Sequence, residues 1–257
     1  MTILTFEERA PYCISSTAQR LFTIMAEKKS NLALSADVTS SEALLKLADQ
    51  LGPLLCVLKT HIDIIHDFHP ALINELKQLA IKHQFLLFED RKFADIGHTV
   101  KFQYSDGIYR IADWAHLTNA HALPGPGVIK GLAEIGRKKN RGLLLIAEMS
   151  SQNHLLDENY QNKTLTLAQM YQDFVLGFIT QHSLSNDPHW IYFAPGIQLE
   201  TGSDDLGQRY VTPEMAILEY GIDIIIAGRG ILKASDPYKA AQEYLKRSWA
   251  AYLNRCG

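Results

Sequence analysis

Four ionisable residues follow closely on short apolar runs: Asp37 after 32–35, Lys59 after 54–58, and Asp90 and Lys92 after 85–88. Asp90 and Lys92 are two positions apart, so in an extended chain their side chains share a face. Two carboxylates and two ammonium groups brought to one place can move protons and stabilise developing charge. Any one of them alone reads as half of a surface ion pair, which contributes little. The four together, each at the end of an apolar run, read as a catalytic cluster.

A second group has the chemistry of an anion site. Late in the chain stand Pro195-Gly196, Gly207-Gln208-Arg209-Tyr210 and Gly228-Arg229-Gly230. Glycine lets backbone N–H groups approach an anion closely, and a guanidinium grips two phosphate oxygens at once. The plainer alternative is a pair of turn glycines beside a solvated arginine. The place of Gly228-Arg229-Gly230, directly after the last apolar run, favours phosphate. His61, His66 and His69 lie near one another but form no tetrahedral ligand pattern, so no metal site is expected. His61, beside Lys59, is placed to support the cluster from behind. Arg137-Lys138-Lys139 reads as a helix end, where cations suit the dipole.

The elements that must position these residues alternate from end to end. Ala18, Leu21, Phe22 and Met25 have helical spacing and make residues 1–30 a leading segment with a helix. Strands are expected at 32–35, 54–58, 85–88, 114–118, 142–147, 174–179, 191–194 and 222–227, with amphipathic stretches between. Several, such as Ile224-Ile225-Ile226, are continuously apolar, as parallel strands covered on both faces are. Pro70 suits a first helical position, and Tyr238, Ala241, Leu245, Trp249 and Tyr252 form the core stripe of a final helix. Eight strand–helix units in 257 residues give an α/β fold, a (β/α)8 TIM barrel, as a single domain spanning 1–257. A doubly wound open sheet is the rival, weakened because no glycine-rich dinucleotide fingerprint follows the first strand. In a barrel the site lies at the C-terminal strand ends, where the four charged residues fall. The polar stretches 150–163 and 200–211 are long for barrel loops and read as lids.

Composition narrows the class further. The chain is 47% hydrophobic and 21% charged, ordinary for a globular protein. Its net charge of −3 argues against nucleic acid as a partner. Neither a signal peptide nor a membrane span is evident. Cys13, Cys56 and Cys256 are too few and scattered for a disulfide framework and suit a reducing, cytoplasmic setting.

The run Phe88-Glu89-Asp90-Arg91-Lys92-Phe93-Ala94-Asp95-Ile96-Gly97 resembles the signature of the orotidine 5′-phosphate decarboxylase family, with its Asp-x-Lys-x-x-Asp core. The resemblance extends to Leu34-Ser35-Ala36-Asp37, Leu58-Lys59-Thr60-His61, Ile146-Ala147-Glu148-Met149-Ser150, Leu206-Gly207-Gln208 and the Ile224 to Gly230 run. It is greatest to the fungal members and to the decarboxylase domain of animal UMP synthase. Arg209 and Ala194 depart from the usual glutamine and threonine, at positions that carry no chemistry.

The resemblance implies decarboxylation of orotidine 5′-phosphate to UMP, with no cofactor and no metal. Lys59, Asp90, Lys92 and Asp95 would form an alternating charge array, with Lys92 stabilising and protonating a C6 carbanion. Asp95 and Thr99 would reach the site from the partner in a homodimer. Asp37 and Lys59 would bind ribose, Ser150 the pyrimidine edge, and Gln208, Tyr210, Gly228 and Arg229 the phosphate. Ile96 and Pro195 complete the implied substrate contacts. Two competing readings are a metal-dependent phosphosugar decarboxylase such as a keto-gulonate phosphate enzyme, and a nucleotide binder without catalysis. The Glu148-Met149-Ser150 run and the intact charge array speak for orotidine phosphate.

Overall fold

The computed structural model describes residues 3–257. Eight of its strands run parallel: β1 (Leu32–Ser35), β2 (Val57–Thr60), β3 (Leu86–Phe93), β4 (Leu117–His121), β5 (Gly142–Ile146), β6 (Val175–Ile179), β7 (Ile191–Ala194) and β8 (Ile224–Ala227). Each pairs with its neighbours in sequence, and β1 also pairs with β8 through Leu34 and Ala227, which closes the barrel. The barrel strands are buried along nearly their whole length, which accounts for the unbroken apolar runs. Phe88 on β3 and Phe193 on β7 meet edge-to-face across the interior, with centroids 6.2 Å apart. The interior is thus filled by side chains.

Two strands begin three residues later than the sequence implies. Leu54, expected to open the second strand, instead ends the tight turn Gly52–Leu54, with Pro53 inside it, and pairing starts at Val57. Trp114, expected in the fourth strand, instead donates its backbone N–H to Ile111 at the end of the turn Ile111–Asp113. Both turns pack apolar side chains inward, so hydrophobicity alone does not separate them from strands. The third strand is longer than expected and carries Asp90 and Lys92 within it. Residues 150–163 are not all loop, because the helix Glu158–Gln169 starts there, capped by the Asp157 side chain. Residues 200–211 fold into a small hairpin pairing Gly202–Ser203 with Arg209–Tyr210.

The leading segment seals the end of the barrel opposite the charged rim. Phe6 stacks on Tyr252 of the final helix Pro237–Cys256, with centroids 4.0 Å apart. Arg9 reaches the carbonyl of Trp190 and the carboxylate of Asp223, at the starts of β7 and β8. The helices Gly97–Ser105 and Pro126–Gly136 touch backbone to backbone. A Cβ on Gly131 would lie 2.2 Å from the Gly97 carbonyl oxygen. That contact seats the segment carrying Asp95, Ile96 and Thr99. Among the described residues, no helix is long and apolar enough to cross a membrane.

Candidate active site

The C-terminal strand ends surround a cavity of about 240 Å³. At its base Asp90 joins the two lysines. Lys59 Nζ lies 2.8 Å from Asp90 Oδ2, and Lys92 Nζ lies 2.6 Å from Asp90 Oδ1. Asp37, held by the Ser35 hydroxyl at 2.8 Å, stands 3.7 Å from Lys59 Nζ. The four charges therefore alternate in a row: Asp37, Lys59, Asp90, Lys92. Burial alone would raise the Asp90 carboxyl, but the Lys59 ammonium, then His61 and Lys92, hold it well below the ordinary carboxylate range.

Local backbone geometry makes this row possible. Lys92 sits in left-handed conformation, with φ of 50°, and the register between β3 and β4 shifts between Glu89 and Phe93. The simple alternation of a strand thus does not set the Lys92 side chain. Instead Asn119, on β4, accepts the Lys92 backbone N–H and donates to Asp90. Next to Asp90, Glu89 is buried beneath the rim. It accepts from the Thr60 hydroxyl at 2.7 Å and the Ile62 N–H at 3.0 Å, tying down the turn that carries His61. Burial pushes its carboxyl up to about 8. His61 Nε2 lies 2.9 Å from Lys59 Nζ and 3.3 Å from Asp90, inside the cluster rather than behind it.

The opposite end of the cavity is polar and carries the hairpin of residues 200–211, the segment expected to act as a lid. Gln208 donates to the Ser150 hydroxyl at 3.2 Å, and Arg229 donates to the Gln208 side-chain oxygen. Tyr210 and Arg229 both donate to Asp204. Gly196 has φ of 80° and faces the Arg209 carbonyl so closely that a Cβ would sit 2.6 Å from it. Only glycine suits that crossing of the β7 end by the lid.

The cavity brings together Asp37, Lys59, Asp90 and Lys92 on one side and Ser150, Pro195, Gln208, Tyr210, Gly228 and Arg229 on the other. Asp95, Ile96 and Thr99 do not line it in their own chain; Asp95 turns outward and accepts the Ile96 N–H at 2.7 Å. Sequence reasoning missed Asn119, Glu89 and Asp204. Asn119 had one available signal, an amide directly after the expected fourth strand 114–118, where a barrel keeps its site. Asp204 had none beyond its place in the lid.

A closed parallel barrel with ionisable groups at its C-terminal mouth and an arginine-bearing polar end defines an α/β-barrel enzyme. The profile of the Orotidine 5'-phosphate decarboxylase / HUMPS family matches residues 30–244, and the chain belongs to that family. It is 49% identical to the orotidine 5'-phosphate decarboxylase of Mucor circinelloides f. lusitanicus over 257 residues, covering 99% of this chain and 97% of that one. It is also 49% identical to the uridine 5'-monophosphate synthase of Bos taurus over 238 residues, covering 93% of this chain but 50% of the bovine protein. The barrel resembles the crystal structure of orotidine 5'-monophosphate decarboxylase from Methanocaldococcus jannaschii, with a TM-score of 0.67 at 18% identity, covering 85% of this chain and 98% of that one.

Proposed function

We propose that the chain removes the carboxylate of orotidine 5′-phosphate as CO2 and leaves UMP, the last step of de novo pyrimidine nucleotide synthesis, without a cofactor. The observation that carries this reading is the Asp90 carboxylate gripped between the Lys59 and Lys92 ammonium groups at the cavity base. Breaking the C6–carboxylate bond leaves the electron pair on C6. Lys92, held rigidly, offsets that charge as it forms and then donates its proton to C6. Lys59 and Asp37 meet the ribose hydroxyls, and Asp90 keeps both ammonium groups in place. Ser150 meets the pyrimidine edge, and Gln208, Tyr210, Gly228 and Arg229 the phosphate. Phosphate binding far from C6 thereby contributes to closing the site and lowering the barrier.

A second copy of the chain supplies Asp95 and Thr99, making the enzyme a homodimer with shared sites. Support comes from the exposure of that segment: Asp95 faces out, and Ile96 and Phe102 are 65% and 50% exposed. Such apolar exposure on one segment is what an interface covers. The whole chain, 1–257, acts as one barrel unit, and the free thiols Cys13, Cys56 and Cys256 suit the reducing cytoplasm.

The test is the loss of orotate absorbance on purified protein, with a chelator and with Lys92→Ala. We expect turnover insensitive to chelation and near background in the variant, whose circular dichroism stays native. Full activity in Lys92→Ala, or loss of activity on chelation, overturns the reading. Mixing Lys92→Ala with Asp95→Ala restores activity that neither has alone if sites are shared.

A further inference from the structure

The lid contains an anion of its own. Asp204 Oδ2 accepts from Arg229 Nη1 and from the Tyr210 hydroxyl, the latter at 2.9 Å. Asp204 Oδ1 accepts from the backbone N–H of Leu206 at 3.0 Å and of Gln208 at 2.9 Å. Arg229, Tyr210 and Gln208 line the cavity, whereas Asp204 does not; it approaches their donors from the lid side. The best hydrogen-bond donors at this end of the cavity are therefore already engaged by a carboxylate.

We propose that Asp204 is a specificity-determining residue that competes with the ligand phosphate for the Arg229 and Tyr210 donors. The inference rests on reading this end of the cavity as the phosphate grip. A phosphate dianion carries more charge and more acceptor oxygens than a carboxylate, so it takes over the guanidinium and the phenol hydroxyl. Asp204, left beside a dianion, is repelled, and its side chain turns away while Gln208 and Tyr210 stay on the phosphate. Weaker anions do not overcome the tethered carboxylate, and the product phosphate is held less tightly than the donors alone would hold it. The Gln208 and Tyr210 hydrogen bonds, with Arg229, keep the Asp204 carboxyl down at about 2, so the competitor stays ionised at neutral pH.

The experiment compares wild type with Asp204→Asn and Asp204→Ser. Both remove the charge, and both leave an oxygen for the Leu206 and Gln208 N–H groups. Inhibition constants are measured for inorganic phosphate, UMP and uridine, with folding checked by circular dichroism. We expect phosphate and UMP to inhibit the variants about three- to tenfold more tightly, the size of a partly screened repulsion. Uridine, which lacks the phosphate, should inhibit all three proteins alike. Unchanged or weaker phosphate inhibition in both variants overturns the inference, as do UMP and uridine constants that move in parallel. If inorganic phosphate does not inhibit the wild type and UMP binds it no better than uridine, the phosphate-grip reading itself fails, and the competition with it.

Discussion

Asn119 holds Lys92 to its own counter-ion: it accepts the Lys92 backbone N–H at 2.7 Å and donates to Asp90 Oδ1 at 2.7 Å. A lysine with positive φ is a costly local conformation, and this side chain makes it persist. Asn119 is thereby a positioning residue, acting through Lys92.

Asn119→Ala should lower kcat by roughly 10- to 100-fold, the effect of a displacement of about 1 Å at the reacting atom. UMP inhibition should change by less than about threefold, because Asn119 lies away from the phosphate end. Steady-state kinetics with UMP as competitor separates the two. An unchanged kcat with weakened UMP binding would assign Asn119 to ligand contact instead.

Glu89 predicts a pH dependence of stability. Its carboxyl titrates near 8 in the folded chain, against about 4.3 in an unfolded one. The native state thus keeps a proton that the unfolded chain releases. Its stabilising contribution is complete below about pH 4 and is lost progressively as pH rises toward 8. In Glu89→Gln the midpoint of thermal unfolding should fall less steeply between pH 5 and 8 than in wild type. Identical slopes would show that Glu89 is ionised in the fold.

How much of this was legible in the sequence follows from burial. Strands such as Ile224–Ala227 are covered on both faces and read as unbroken apolar runs. Their ends could therefore be found, and Asp37, Lys59, Asp90 and Lys92 with them. The inference that Asp90 and Lys92 share a face by strand alternation reached a true contact by a false route. The register shift after Glu89 and the positive φ of Lys92 set that geometry, and neither leaves a mark in residue types. Asn119 and Asp204 escaped for a related reason: their roles depend on which neighbours a strand or lid brings to them. A partner's contribution from Asp95 was readable only by resemblance, because nothing in one chain's periodicity encodes a second copy.

Gly131→Ala should destabilise the fold by about 1–3 kcal/mol, the cost of forcing a methyl group into filled space. The clash is with the Gly97 carbonyl, backbone rather than a yielding side chain. Thermal unfolding should show the loss. Wild-type stability in the variant would mean that the two helices separate freely.

Lys28 ties together the lower ends of two helices by donating to the carbonyls of Gly52 at 2.8 Å, Leu55 at 2.6 Å and His83 at 2.6 Å. Lys28→Met keeps the aliphatic stem and removes the donors. It should cost about 1–3 kcal/mol, since partly buried acceptors are left unmet, with kcat unchanged because the substitution lies far from the rim. Denaturant unfolding together with an activity assay tests both halves.

The Asp90 carboxylate is clasped by donors from three strand ends and the turn after β2: Lys59, His61, Lys92 and Asn119. So clasped, it has nowhere to rotate, and in the proposed mechanism the reacting groups need no rearrangement in each cycle. Their ordering is completed once, during folding, rather than repeated at every turnover. Entry and exit of a ligand then ask for movement only of residues 200–211, exposed or half-buried throughout, and not of the base beneath them.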